Sequence, residues 1–238
     1  NELAGYTILQ NKKFILAADI GSSPEKIYTK DYQAGALSFE IFYNDKKLIS
    51  NSGYYPDTKN RLNKLSKSTA LQNTLSIEDY SSSDFIKSSD NFLIQKDLKI
   101  ENKNIVFEKN YWKISASHNG YFKKFKLDHH REIEFYPEQF KFIGHDKIVR
   151  KDPDKQIKFD IRFHLHPDSK VMKTQNSKFI LIQLEDEGWQ FSCDNYDINI
   201  DNGLYFGNKN SYQENQNIFI SGMNNENEQI IRWEIIKI

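Results

Sequence analysis

The stretch Phe159-Asp160-Ile161-Arg162-Phe163-His164-Leu165-His166 alternates apolar and polar residues without a break. Phe159, Ile161, Phe163 and Leu165 fall on one side of an extended chain, and Asp160, Arg162, His164 and His166 on the other. Side chains on a strand repeat every two residues, so this pattern predicts a β-strand with one buried face. Outward from it, Leu37 to Tyr43 runs the same way into Asn44-Asp45, a tight-turn pair, and then Lys47-Leu48-Ile49, which predicts a hairpin. Further strands are predicted over Thr74–Ile77, Ile105–Phe107, Trp112–Ala116, Arg131–Phe135 and Phe140–Ile143. Others follow over Phe179–Leu184, Trp189–Cys193, Ile198–Ile200, Ile218–Ser221 and Ile230–Ile236. Such runs recur about every 8–12 residues with Asn-, Gly- and Asp-rich breaks between them, the signature of an all-β sandwich or barrel. Tyr54–Ser68 and Tyr80–Asn91 read as loops, with a helical turn possible in Asn60–Ser68, where Leu62 and Leu65 stand three apart.

Composition narrows the function. The 33 basic and 33 acidic side chains cancel across 238 residues, so no overall field draws the chain to nucleic acid or anionic lipid. A polyanionic glycan would have to meet a local basic patch. The single cysteine, Cys193, precludes an intramolecular disulfide, and its spacing behind Trp189 and Phe191 predicts a buried, inert thiol. No apolar run approaches the roughly 20 residues that span a bilayer. The chain opens on Asn1 with no signal peptide, as expected of a fragment or a processed product. No Ser-His-Asp spacing, phosphate-binding Gly loop or Cys cluster is present.

Three local patterns carry chemistry. At His118-Asn119-Gly120-Tyr121 a turn would set a His and a Tyr beside each other at the surface, as glycan contacts. Alternatively His118 caps the turn by bonding backbone amides. The stretch from Lys123 to Arg131 is the most basic in the chain, with Lys123, Lys124, Lys126, His129, His130 and Arg131 interleaved with Phe122, Phe125 and Leu127. On a strand Lys124 would share a face with Lys126, and His129 with Arg131, offering donors to a carboxylate or sulfate. A solvated strand face explains the same pattern. His164 and His166 begin like a cupin metal site, but Pro167-Asp168-Ser169-Lys170 follows in place of a ligating Glu, and Arg162 on the same face would repel a cation. A structural role is expected for them.

The segment Asp31-Tyr32-Gln33-Ala34-Gly35-Ala36-Leu37-Ser38-Phe39-Glu40-Ile41 resembles the start of the C-terminal β-domain of heparinase II/III-like polysaccharide lyases. Members read His-x-His-Ala-Asp-x-Leu-Ser-Phe-Glu-Leu there, then Val-Asp-x-Gly and Ala-His-Asn-Thr-Leu. The later pieces here are Ile49-Ser50-Asn51-Ser52-Gly53 and Leu71-Gln72-Asn73-Thr74-Leu75. Trp112 to Tyr121, Leu127 to Arg131, Ile161 to Pro167 and Gly188 to Phe191 resemble further family segments in order.

The resemblance implies one domain over residues 1–238, a large two-layer antiparallel β-sandwich, preceded in full-length members by an α-helical toroid that nothing in this chain resembles. It implies a uronate-bearing polysaccharide as partner, β-elimination as the chemistry, and a periplasmic or envelope location. In the family the second His, the Asp and the last His hold zinc, and the first His lies at the catalytic cleft. Those positions are Gln33, Asn51, Gln72 and Asp31 here. Neutral amides are poor zinc ligands, so the zinc is predicted lost and the three amides are expected to converge and satisfy one another. Asp31 is the residue at the catalytic position, and it would repel a substrate carboxylate. Substrate contacts are expected at His118, Tyr121, Lys124, His129 and Arg131.

Overall fold

The computed structural model describes residues 2–3, 5–88, 91–94, 98–151, 153, 155–175, 178–208 and 211–238. An opening antiparallel sheet contains β1 (Glu2–Leu3), β2 (Tyr6–Gln10), β3 (Phe14–Asp19), β4 (Phe39–Tyr43) and β5 (Lys46–Ile49), in that order. The β4–β5 hairpin turns at Asn44 and Asp45, both at positive φ (46° and 63°), the combination a two-residue turn needs to match strand twist. Helix α1 (Arg61–Ser66) follows, its first turn capped by the Asn60 side chain accepting from the Leu62 amide. It confirms the helical turn expected in Asn60–Ser68.

Next come β6 (Leu75–Ile77) and the hairpin β7 (Phe85–Ser88) and β8 (Asn91–Ile94), so the expected loop over Tyr80–Asn91 contains strand. Then β9 (Ile100–Phe107), β10 (Trp112–His118), the short helix α2 (Phe122–Phe125), β11 (Leu127–Tyr136) and β12 (Lys141–Arg150) lead to β13 (Ile157–His164). The chain closes with β14 (Lys170–Lys173), β15 (Phe179–Leu184), β16 (Glu187–Cys193), β17 (Ile198–Tyr205), β18 (Gln213–Asn224) and β19 (Glu228–Lys237). An eight-stranded sheet runs β14-β15-β16-β19-β12-β11-β10-β9, and a four-stranded one β17-β18-β13-β6.

The eight-stranded sheet forms one layer, and the five- and four-stranded sheets share the other. The Ser50 amide donating to the His164 carbonyl (3.0 Å) joins these two sheets. Between the layers lies an aromatic core. Phe14 packs on Phe135, Phe142 and Trp189, and Phe39 stacks on Trp233 with centroids 5.3 Å apart. Trp233 fits because its neighbour across the ladder is Gly144, where a Cβ would sit 2.0 Å from the indole ring. Fold class therefore agrees with the sequence: an all-β, two-layer antiparallel sandwich.

Two local expectations change. The residues around Lys123 and Lys124 are helical rather than extended, and Lys126 turns the chain in a left-handed conformation (φ 53°). Cys193 is half-buried rather than buried, with burial pushing its thiol up to about 12, so it stays protonated.

Candidate functional site

The segments carrying Gln33, Asn51 and Gln72 do come together, but the amides do not bond one another. Gln33 Nε2 donates to the carbonyls of Gly53 and Ser66, each at 2.8 Å, and Gln72 Nε2 reaches the same Ser66 carbonyl at 3.5 Å. Asn51 is used differently. Its Oδ1 accepts from the Asn73 amide (2.7 Å) and its Nδ2 donates to Ser38 Oγ (3.2 Å). Gln72 and Ser38 both crowd Gly35, with Oε1 of the one and Oγ of the other 3.3 and 3.1 Å from where a Cβ would be. Main-chain groups and the Ser38 hydroxyl, rather than other amides, satisfy these side chains.

Asn73, beside Gln72, anchors the whole turn. Its Nδ2 donates to the Phe39 carbonyl (2.9 Å), its Oδ1 accepts from the His164 amide, and its own carbonyl accepts from Arg131 Nη1. One side chain thus bridges both sheets of its layer. A zinc ion does not fit this donor set. It contains no imidazole, carboxylate or thiolate, and Asn51 has spent its carbonyl oxygen on a backbone amide. Just past Ser66 lies Lys67, fully buried, with its ammonium donating to the Lys30 carbonyl and standing 5.7 Å from the Tyr54 ring centroid. Burial lowers that ammonium to about 8, despite the opposing pull of Asp31.

Asp31 stands at the exposed rim. It accepts from the Tyr54 hydroxyl (2.9 Å), which in turn accepts from Asn63 Nδ2 (3.0 Å). Burial and the Asp31 carboxylate raise the Tyr54 phenol, so it remains a proton donor near neutrality. The rim offers a carboxylate and a phenol.

The expected substrate contacts lie elsewhere. His118 and Tyr121 are 2% and 1% exposed, so neither stands at the surface beside the turn. His118 Nδ1 accepts from the Gly120 amide (3.0 Å), which is the turn-capping alternative, and the Tyr121 hydroxyl donates to the Leu75 carbonyl (2.7 Å). His129 and Arg131 share a face, as expected, but it is the inward one, and both are buried. Of the five, Lys124 alone is exposed, its ammonium lying over the Tyr80 ring.

The buried groups form one network. Because His118 Nδ1 accepts, its proton sits on Nε2 and is donated to His129 Nδ1 (3.2 Å). His129 then donates through Nε2 to Asp146 Oδ1 (2.6 Å). Arg131 grips Asp146 with two bonds, Nε to Oδ1 (2.8 Å) and Nη2 to Oδ2 (2.9 Å), and Trp233 Nε1 supplies a fourth (2.9 Å). Arg131 Nη1 extends to the carbonyls of Leu37 and Asn73, tying the eight-stranded layer to the amide turn. Burial alone would raise the Asp146 carboxyl, but the Arg131 guanidinium and the His129 bond hold it well below the usual carboxylate range. Burial lowers both imidazoles, for His129 against the opposing pull of Asp146, so this network carries one ion pair and two neutral rings.

His164 and His166 behave structurally. His164 is buried between Ser52 Oγ (3.2 Å from Nδ1) and the Ala70 carbonyl (3.0 Å from Nε2), and His166 packs on Tyr205 and faces Asp168.

The architecture is a two-layer antiparallel β-sandwich domain with a polar turn buried within it. The chain belongs to the heparinase II/III-like C-terminal family, whose model matches residues 2–234. Its fold is similar to that of the heparan sulfate lyase HepC from Pedobacter heparinus, with a TM-score of 0.79 at 13% identity over 98% of this chain. It is likewise similar to a heparinase III crystal structure, with a TM-score of 0.72 at 15% identity over 99% of the chain. In each case the match covers 35% of the lyase. The curated FtsZ-localized protein C of Caulobacter vibrioides is 24% identical over 98% of this chain, which spans 42% of that relative. No helix among the described residues is long and apolar enough to cross a membrane.

Proposed function

We propose that this domain forms one wall of a glycan cleft in a longer protein, where an α-helical toroid supplies the rest of the machinery for β-elimination of a uronate polysaccharide. The observation that carries this reading is a chain of hydrogen bonds from Asp31 at the rim through Tyr54 to the buried Asn63, whose carbonyl accepts from Ser66 of the Gln33-pinned turn. β-Elimination needs a base for the proton α to the sugar carboxylate, a group that neutralises that carboxylate, and an acid for the leaving oxygen. Tyr54 suits the acid's part. Asp31 opposes the carboxylate, so this chain alone is expected not to cleave. Heparan sulfate, alginate and other uronate polymers incubated with the protein should give no rise in ultraviolet absorbance from unsaturated product, and turnover would refute the assignment.

A second reading has one observation in its favour. The curated relative is named for FtsZ localisation rather than for lysis, which suits a non-catalytic glycan-binding or envelope-assembly module. Glycan-array binding with no elimination product from the longer protein would select it. A periplasmic or envelope location is part of both readings.

A further inference from the structure

We infer that the outer face of the eight-stranded sheet holds a divalent transition-metal ion between Glu132, Glu134 and His145. Glu132 on β11 stands directly opposite His145 on β12, and Glu134 projects from the same face two residues on. One ligand atom from each lies within 4.8 Å of the others. A carboxylate pair with one imidazole suits zinc and its first-row neighbours, with water completing the sphere.

Three further features distinguish this trio from acidic residues that merely share a surface. First, each carboxylate is held by a neighbouring side chain. Glu132 meets the Lys113 ammonium through Oε2, and Glu134 accepts from the Tyr111 hydroxyl through Oε1 (2.6 Å). Partners of this kind orient metal-ligating carboxylates from behind. Second, the His145 imidazole has no hydrogen-bond partner among the described residues, and a cavity of about 460 Å³ opens against it, bordered by Glu132, His130, Lys147 and Ser115. The cavity lies where a bulge shifts the β9–β10 register between Ser115 and Ser117, with Asn102 at φ 54°. Third, Lys147 and Arg232 beside the trio each have a carboxylate partner outside it. Lys147 pairs with Glu228, and Arg232 with Asp194 and Glu234.

This site is separate from the amide turn and independent of the proposed function. Calorimetric titration of the 238-residue protein with zinc chloride near pH 7.5 should show one site per chain. His145→Ala and Glu132→Gln should each weaken it at least about tenfold. His145→Ala breaks no side-chain hydrogen bond among the described residues, so a native circular-dichroism spectrum is expected, and it decides the matter if Glu132→Gln folds poorly. Absence of saturable zinc binding, or equal affinity in the folded His145→Ala protein, would overturn the assignment.

Discussion

Arg131→Met should destabilise the protein by about 3–5 kcal/mol, the cost of leaving a buried charge without its partner. The Asp146 carboxylate is 0% exposed and would lose two of its four hydrogen bonds. Arg131 also holds the carbonyls of Leu37 and Asn73, so the substitution would loosen the turn under the rim as well as the interlayer contact. Urea denaturation reads the loss directly. Combining Arg131→Met with Asp146→Asn removes the stranded charge, so the double variant should be more stable than the sum of the singles predicts. Lys147→Ala, one residue from Asp146 but on the outer face, should cost less than about 0.5 kcal/mol. A loss under about 1 kcal/mol for Arg131→Met would mean that the network is ornamental.

Acid should destabilise the sandwich through its buried imidazoles. Burial lowers His164 to about 4, against roughly 6.5 for an unfolded His, so between those values the unfolded chain binds the extra proton. Stability from this group is therefore full above about pH 6.5 and drains as pH falls towards 4, a loss of about 2–3 kcal/mol by pH 4.5. His118 and His129 act with the same sign. Asp19 acts oppositely. Burial raises its carboxyl to about 7, so folding favours the protonated acid and stability falls as pH rises from the ordinary carboxylate range to 7. The two trends overlap and partly cancel in the native protein. They separate in Asp19→Asn, which keeps an acceptor for the Gly21 amide and should be more stable than the native chain near pH 8. Urea curves on that variant should show stability falling steadily from pH 7 to 4.5. A flat profile there would contradict neutral buried imidazoles.

The fold was largely legible because alternation reports burial directly. Strands β11 and β12 carry it without a break, whereas β13 departs from the single buried face expected of it, since Asp160 and His164 on its polar side are buried too. Strands β2 and β3 escaped the sequence reading, since Phe14-Ile-Leu-Ala-Ala is a continuous apolar run with no alternation to detect. The site was legible in part. The motif positions identified the segments that meet at the Asn73 hub, yet no local pattern shows that Lys67 lies buried beside them. His129 and Arg131 were misplaced for an avoidable reason. They share parity with Leu127, Ile133 and Phe135, so they stand on the apolar face, and Asp146 shares parity with Phe142 and Ile148. Ionisable residues on the apolar parity of two strands announce a buried pair. Only the register, which sets Arg131 opposite Asp146, requires the three-dimensional structure.

We propose that protein hydrogen bonds, not a metal, hold the turn of Gln33, Asn51 and Gln72. Zinc content of the His145→Ala protein after equilibrium dialysis tests it most directly, because that variant lacks the outer-face site. Far less than one zinc per chain is predicted. About one zinc per chain, lost on further substitution of Gln33 and Gln72 by alanine, would contradict the account.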